Sequence, residues 1–246
     1  MFRLGERKKS VLHENNMHSG GRKGMSFNVA VDGPAGAGKS TIAKAVAKQL
    51  NLIYVDTGAM YRAMALLVLR NNIDPSDTDA VIEKCCSADI SICYQDGEQV
   101  VMLNGDNVNP YLRTEEVGNA TSVISTIPKV REKMVELQQN LAASSDCIMD
   151  GRDIGTCVLP NAQLKVYLTA DSAVRAKRRY DELAAKGQVC DLQKIQADIE
   201  ERDYRDMHRE TSPLRQAEDA VLVDTSLMTV EEVIHRLVQL CLERQN

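Results

Sequence analysis

Five short apolar runs punctuate the chain: Phe27–Val31, Leu52–Val55, Cys147–Met149, Leu164–Leu168 and Ala220–Val223. Four of them are followed at once or within a residue by an aspartate: Asp32, Asp56, Asp150 and Asp224. Continuous apolar runs of this length are the pattern of strands buried on both faces. Between them the apolar spacing changes to that of helices. Ile42, Val46 and Leu50 mark a helix over 40–50, and similar patterns cover 128–143, 172–187 and 229–244. Pro128 suits the first turn of its helix, and Thr229-Val-Glu-Glu232 has the spacing of a capping box. Apolar strands alternating with helices predict an α/β fold, with a five-stranded parallel sheet covered on both faces.

Two stretches break the alternation. Within 57–132, Ile90–Tyr94 and Val100–Leu103 are strand-like and flank Gln95-Asp-Gly-Glu98, a hairpin signal. An antiparallel hairpin inside a parallel alternation predicts an inserted subdomain over 57–132. Residues 175–215 are dense in charge, with Arg175, Arg178, Arg179, Arg202, Arg205, Arg209 and Arg215 among interspersed acids. The few apolar positions there can anchor one face only, which predicts two exposed helices and a mobile lid over 178–212. Residues 1–24 are polar and weakly basic without helical periodicity, and are expected to be a disordered extension to a domain over 25–246.

Composition narrows the function classes. The net charge is -5 in 246 residues, which argues against coating a polymeric nucleic acid by bulk charge but leaves room for a local basic cleft. No window approaches a membrane span, and residues 1–24 lack the apolar core of a signal peptide. Seven cysteines without a C-x-x-C pair, and four histidines, predict reduced thiols in a cytoplasmic protein and no structural zinc.

The segment Gly33, Pro34, Ala35, Gly36, Ala37, Gly38, Lys39, Ser40 fits G-x-x-x-x-G-K-[ST] in full, and Thr41 follows. A strand precedes it and a helix follows, as a phosphate-binding loop requires. Its glycines let the backbone turn N–H groups toward an anion, and the helix N-terminus adds partial positive charge. Lys39 is expected along the β- and γ-phosphates, Ser40 on Mg²⁺, and Asp150 near that metal through water. The loop fixes a nucleotide phosphate site, not a reaction. Neither the Asp-x-x-Gly switch nor the Asn-Lys-x-Asp base reader of GTPases is present.

Two further segments follow strands: Asp56-Thr-Gly-Ala-Met-Tyr-Arg62 and Asp150-Gly-Arg-Asp-Ile-Gly-Thr156. Both fall at the carboxyl ends of predicted parallel strands, the edge where such sheets bind ligands. Arg62 and Arg152 are therefore candidates for gripping a second phosphate, since guanidinium forks bind phosphate bidentately.

With the loop, these two segments and Glu201-Arg-Asp-Tyr-Arg-Asp206, the chain over about 25–246 closely resembles bacterial cytidylate kinases. The resemblance implies transfer of the γ-phosphoryl of ATP to CMP or dCMP with Mg²⁺, in pyrimidine nucleotide metabolism. It implies acceptor-phosphate contacts from Arg62, Arg152 and Arg202. It places cytosine contacts on Ser122, Arg131 and Asp153, with Arg209 nearby, and sugar contacts on Thr57 and Asp206. Position 57 is Thr where many members have Ser. A monomer is implied too. Arg178 and Arg179 are the candidates for lid arginines closing over the transferred group, beside Lys39, Arg62 and Arg152 as the catalytic set. A kinase for UMP or AMP, and a nucleotide switch without transfer, are the alternative readings.

Overall fold

The five apolar runs form one sheet. A computed structural model of the chain describes residues 26–95 and 98–245; the expected extension over 1–24 and the Asp96-Gly97 tip of the predicted turn lie outside the described residues. The chain begins β1 (Asn28–Asp32), α1 (Lys39–Leu50), β2 (Ile53–Asp56), α2 (Thr57–Arg70) and α3 (Thr78–Ser87). It continues β3 (Ile90–Gln95), β4 (Glu98–Leu103), β5 (Asp106–Asn107), α4 (Glu115–Ile124) and α5 (Pro128–Ser144). It ends β6 (Cys147–Gly151), β7 (Leu164–Thr169), α6 (Ser172–Ala185), α7 (Leu192–His208), β8 (Val221–Asp224) and α8 (Val230–Gln245).

The main sheet has the order β2-β6-β1-β7-β8, parallel throughout. Its register sets Asp32 opposite Gly151 and Asp56 opposite Asp150, so the ends of β1, β2 and β6 meet at one edge. Both faces are covered. Met60 and Met64 of α2 and Met134 of α5 pack with Met149 on one side. Ile42 and Val46 of α1 and Leu237 of α8 pack with Ile148 on the other. The last helix starts with the expected capping box: Thr229 N–H donates to Glu232 at 2.8 Å, and Glu232 N–H to Thr229 Oγ1 at 3.2 Å.

The predicted hairpin pairs antiparallel from Ile90↔Leu103 to Gln95↔Glu98, and the short β5 adds a third strand. Helix α2 covers the main sheet, so the antiparallel material is confined to residues after it. The hairpin also covers the open edge of β2, whose outward groups would otherwise lack partners. Gln99 accepts from Asp56 N–H at 2.7 Å and donates to Asp56 C=O at 3.3 Å, and the Tyr94 hydroxyl donates to Tyr54 C=O at 2.7 Å. Side chains here do what a neighbouring strand would do, and they fix the β2–α2 junction that carries Thr57 and Arg62.

Helices α6 and α7 pack on each other. Their buried positions are few: Arg175 and Ala176 on α6, and Asp203 on α7.

Candidate active site

The loop 33–38 leaves the centre of the sheet and feeds α1. Gly33 has φ +147, and a Cβ there would collide with the Leu168 carbonyl of neighbouring β7. Gly36 and Gly38 have φ +76 and +87, a region that L side chains rarely adopt. Pro34 is buried and its carbonyl accepts from Lys39 Nζ at 2.8 Å, which draws the Lys39 side chain back over the loop. Ala35 and Ala37 complete the cradle, Ala37 being buried, while Thr41 is exposed on the first turn. Burial, and then the charge of Arg152, lower the Lys39 ammonium to about 7.

Ser40 Oγ donates to Asp150 Oδ2 at 2.6 Å, and the Tyr54 hydroxyl to Asp150 Oδ1 at 3.0 Å. Burial, helped by the Asp56 charge, raises the Asp150 carboxyl above the usual carboxylate range. A hydroxyl and a buried carboxylate side by side suit Mg²⁺, which retains waters and takes substrate phosphates as ligands. No group of three or more His, Cys, Asp or Glu among the described residues could cage a metal alone. Asp32 closes the other flank: it accepts from Ile154 N–H at 2.8 Å and Gly155 N–H at 2.7 Å, and burial raises its carboxyl to about 6. It thereby ties the turn bearing Arg152 and Asp153 to the strand that carries the loop.

Facing the loop is a group of guanidiniums. Arg62 lies over Gly58, where a Cβ would come within 3.4 Å of its Nη1. Arg152 Nε donates to Asp206 Oδ2 at 2.9 Å. Arg202 is lowered by burial and then by the charges of Arg152 and Arg62, while Asp206 opposes the shift. The fields of Arg152 and Arg202 also reach Lys39. These four cations thus lie close enough to feel one another's charge.

A second cluster sits deeper. Arg131 and Asp153 form a close buried ion pair, their side chains 5% and 7% exposed. Arg209 Nη2 lies 3.6 Å from the other Asp153 oxygen and has no hydrogen-bond partner although buried. Its Nε donates to Ser212 C=O at 2.7 Å, and Arg131 Nη1 to Ser125 C=O at 3.1 Å. Tyr61 lies beneath, 5.7 Å from the Arg131 guanidinium, and burial raises its hydroxyl to about 12. Ser122 is bonded within its own helix, to Gly118 C=O at 3.3 Å, and Thr57 donates to Asp150 C=O at 2.7 Å.

The structure therefore gathers Lys39, Ser40 and Asp150; Arg62, Arg152, Arg202 and Asp206; and Arg131, Asp153 and Arg209. It directs the two expected lid arginines elsewhere. Arg178 donates to Thr225 Oγ1 at 3.1 Å and Thr225 C=O at 2.7 Å. Arg179 is half exposed and pairs with Glu182 at 2.8 Å. The guanidinium of α6 that meets the loop is Arg175, which donates to Ala35 C=O at 3.0 Å. The reason is helix rise: Arg178 and Arg179 stand about one turn, some 5 Å, farther along the axis. Sequence reading also missed Asp32, Tyr54 and Tyr61, of which Asp32 and Tyr61 sit inside or beside the motifs, where position alone could have flagged them.

Comparison with known proteins agrees with this geometry. The family model described as cytidylate kinase matches residues 29–243. A cytidylate kinase of Caldicellulosiruptor bescii is 51% identical over 214 residues, 87% of this chain and 95% of its own. One of Lactobacillus johnsonii is 47% identical over 226 residues, 91% of this chain and 98% of its own. A phosphate loop, a facing set of guanidiniums and relatives matched over nearly their whole length all point one way: the chain belongs to the cytidylate kinase family.

Proposed function

We propose that the chain transfers the γ-phosphoryl of ATP to CMP or dCMP, with ATP on the 33–41 loop and the acceptor phosphate held by Arg62, Arg152 and Arg202. The observation that carries this is the convergence of these three guanidiniums with Lys39, against one carboxylate among the described residues, Asp206, within bonding distance of them. Cations crowded together in this way are relieved when anions arrive. Two phosphorylated ligands supply them.

An oxygen of the CMP phosphate attacks the γ-phosphorus, and the bond to the β–γ bridging oxygen breaks, leaving ADP and CDP. The acceptor is already an anion, so no strong base is needed; alignment and charge neutralisation carry the rate. Backbone N–H groups of the loop hold the donor. Lys39 spans its phosphates, and their negative charge favours its ammonium form. Arg62, Arg152 and Arg202 orient the acceptor. Ser40, and Asp150 through water, would hold Mg²⁺, which would supply further neutralisation of the β- and γ-phosphates. The segment 178–212, which holds the later part of α6 and all of α7, serves as the lid that keeps water from the phosphoryl group.

The deeper cluster suits cytosine. The ring offers acceptors at N3 and O2 and a donor amine; Arg131, Arg209 and Asp153 offer the complement, and the unpartnered Arg209 Nη2 is free to donate. Uracil lacks the amine and leaves the Asp153 acceptor unpaired. Thr57 and Asp206 face the sugar, and Ser122 borders the base. A monomer whose partners are nucleotides is part of the same reading. All seven cysteines are free, which suits the reducing cytoplasm, and no described helix is long and apolar enough to cross a membrane.

ADP release measured with CMP, dCMP, UMP, AMP or no acceptor tests the reading. Release that depends on CMP or dCMP is expected. Release independent of any acceptor, or faster with AMP, would overturn it.

A further inference from the structure

Arg175 belongs to neither of the two clusters, yet it is 5% exposed on a helix that is otherwise mostly solvated. Its contacts join three elements. Nε donates to Ala170 C=O at 2.8 Å, in the connection between β7 and α6. Nη1 donates to Ala35 C=O at 3.0 Å, in the donor loop. The same Nη1 lies 2.7 Å from Asp203 Oδ2, on α7. The loop also packs against the side-chain stem, since a Cβ at Gly36 would lie 3.5 Å from Arg175 Cβ.

Asp203 depends on this partner. Its other oxygen, Oδ1, is buried without a hydrogen bond, and Arg175 is its ion-pair partner among the described residues. On α7 its neighbours are Arg202, one residue before, and Asp206, one helical turn later, which is bonded to Arg152. One nitrogen therefore bridges the backbone of the donor loop and the helix that presents acceptor-side groups. Lysine could not replace it, because a single ammonium on a flexible stem cannot hold the Ala170, Ala35 and Asp203 directions at once.

We propose that Arg175 is a positioning residue that couples the two nucleotide sites: it fixes α7, and with it Arg202 and Asp206, to the donor loop, so that filling that loop strengthens acceptor binding. This rests on the assignment of donor and acceptor sites above. By linkage, the acceptor strengthens donor binding by the same factor.

The test is calorimetric titration of CMP into the protein, with and without a saturating non-hydrolysable ATP analogue and Mg²⁺. The wild-type chain is expected to bind CMP about fivefold or more tightly with the analogue present. In Arg175→Lys that ratio falls to within about twofold of one, while the analogue's own affinity stays within about twofold of wild type. A merely structural role would weaken both ligands or lower thermal stability and leave the ratio intact. A wild-type ratio of one, or an unchanged ratio in Arg175→Lys, overturns the proposal. Should that variant fail to fold, Asp203→Asn keeps the loop bond and the side-chain shape; a reduced ratio supports the strut and an unchanged one overturns it. CMP-dependent ADP release by the wild-type chain separates the two levels: its absence sinks the site assignment, whereas its presence with an unaltered ratio sinks the strut alone.

Discussion

The two charged clusters of the site are built on opposite electrical principles. In the deep cluster Arg131 and Asp153 are already paired, and Arg209 stands by the second Asp153 oxygen. In the outer cleft Lys39, Arg62, Arg152 and Arg202 crowd together, and Arg202 and Lys39 are pushed down partly by their fellow cations. A pocket that must distinguish nucleobases needs its donors and acceptors fixed before the ligand arrives. A pocket that must grip phosphate can remain short of negative charge, because the ligand brings it. The first is a specificity device and the second an anion trap.

The sharpest break falls on the trap. Lys39→Ala is expected to lower kcat by about a hundredfold or more with the fold intact, since the cation that follows the transferring charge is lost; steady-state rates with a circular dichroism control check it. Next comes the deep cluster. Asp153→Ala leaves two buried guanidiniums without their carboxylate and is expected to cost about 3–5 kcal/mol of stability, read from denaturant unfolding. Arg202→Met should do the reverse. It relieves crowding among cations, so the ligand-free chain should be as stable as wild type or more so, while CMP binds about tenfold or more weakly. A loss of stability in Arg202→Met as large as that in Asp153→Ala would erase the contrast.

The smallest effect is a proton. Lys39 sits at about 7 in the ligand-free chain, against an ordinary value of 10.5. Near pH 8 most of it is neutral, and a bound triphosphate recharges it, so ATP binding takes up a fraction of a proton up to about one. Titrations in two buffers of different ionisation enthalpy measure this, and Lys39→Met abolishes it. The stability sign follows the same shift. The unfolded chain holds the extra proton between about pH 7 and 10.5, so the contribution of this group to stability rises with pH across that window.

The outer trap was far more legible in the sequence than the deep cluster. Asp32, Asp56 and Asp150 each close an apolar run, and parallel strands bring such ends to one edge. Lys39, Arg62 and Arg152 could therefore be placed near one another before any coordinates. Arg131 offers no comparable signal: it lies inside a polar helix, and only the family resemblance singled it out, while Asp153 stood within the 150–156 segment but took its role from that resemblance. Arg175 was visible as one charge among many. Which guanidinium of α6 meets the loop depends on where the helix axis leaves β7, and that is set by tertiary packing. The two-residue β5 was likewise too short to announce itself by alternation.

The most direct measurement uses a single molecule in which adenosine and cytidine are joined through a chain of phosphates long enough to span both sites. If loop and guanidiniums face each other across one cleft, this compound binds at least about a hundredfold more tightly than ATP or CMP alone, because the second nucleotide is held at high effective concentration. Binding no tighter than that of ATP would mean that the two sites do not face each other, and direct phosphoryl transfer between them would be contradicted.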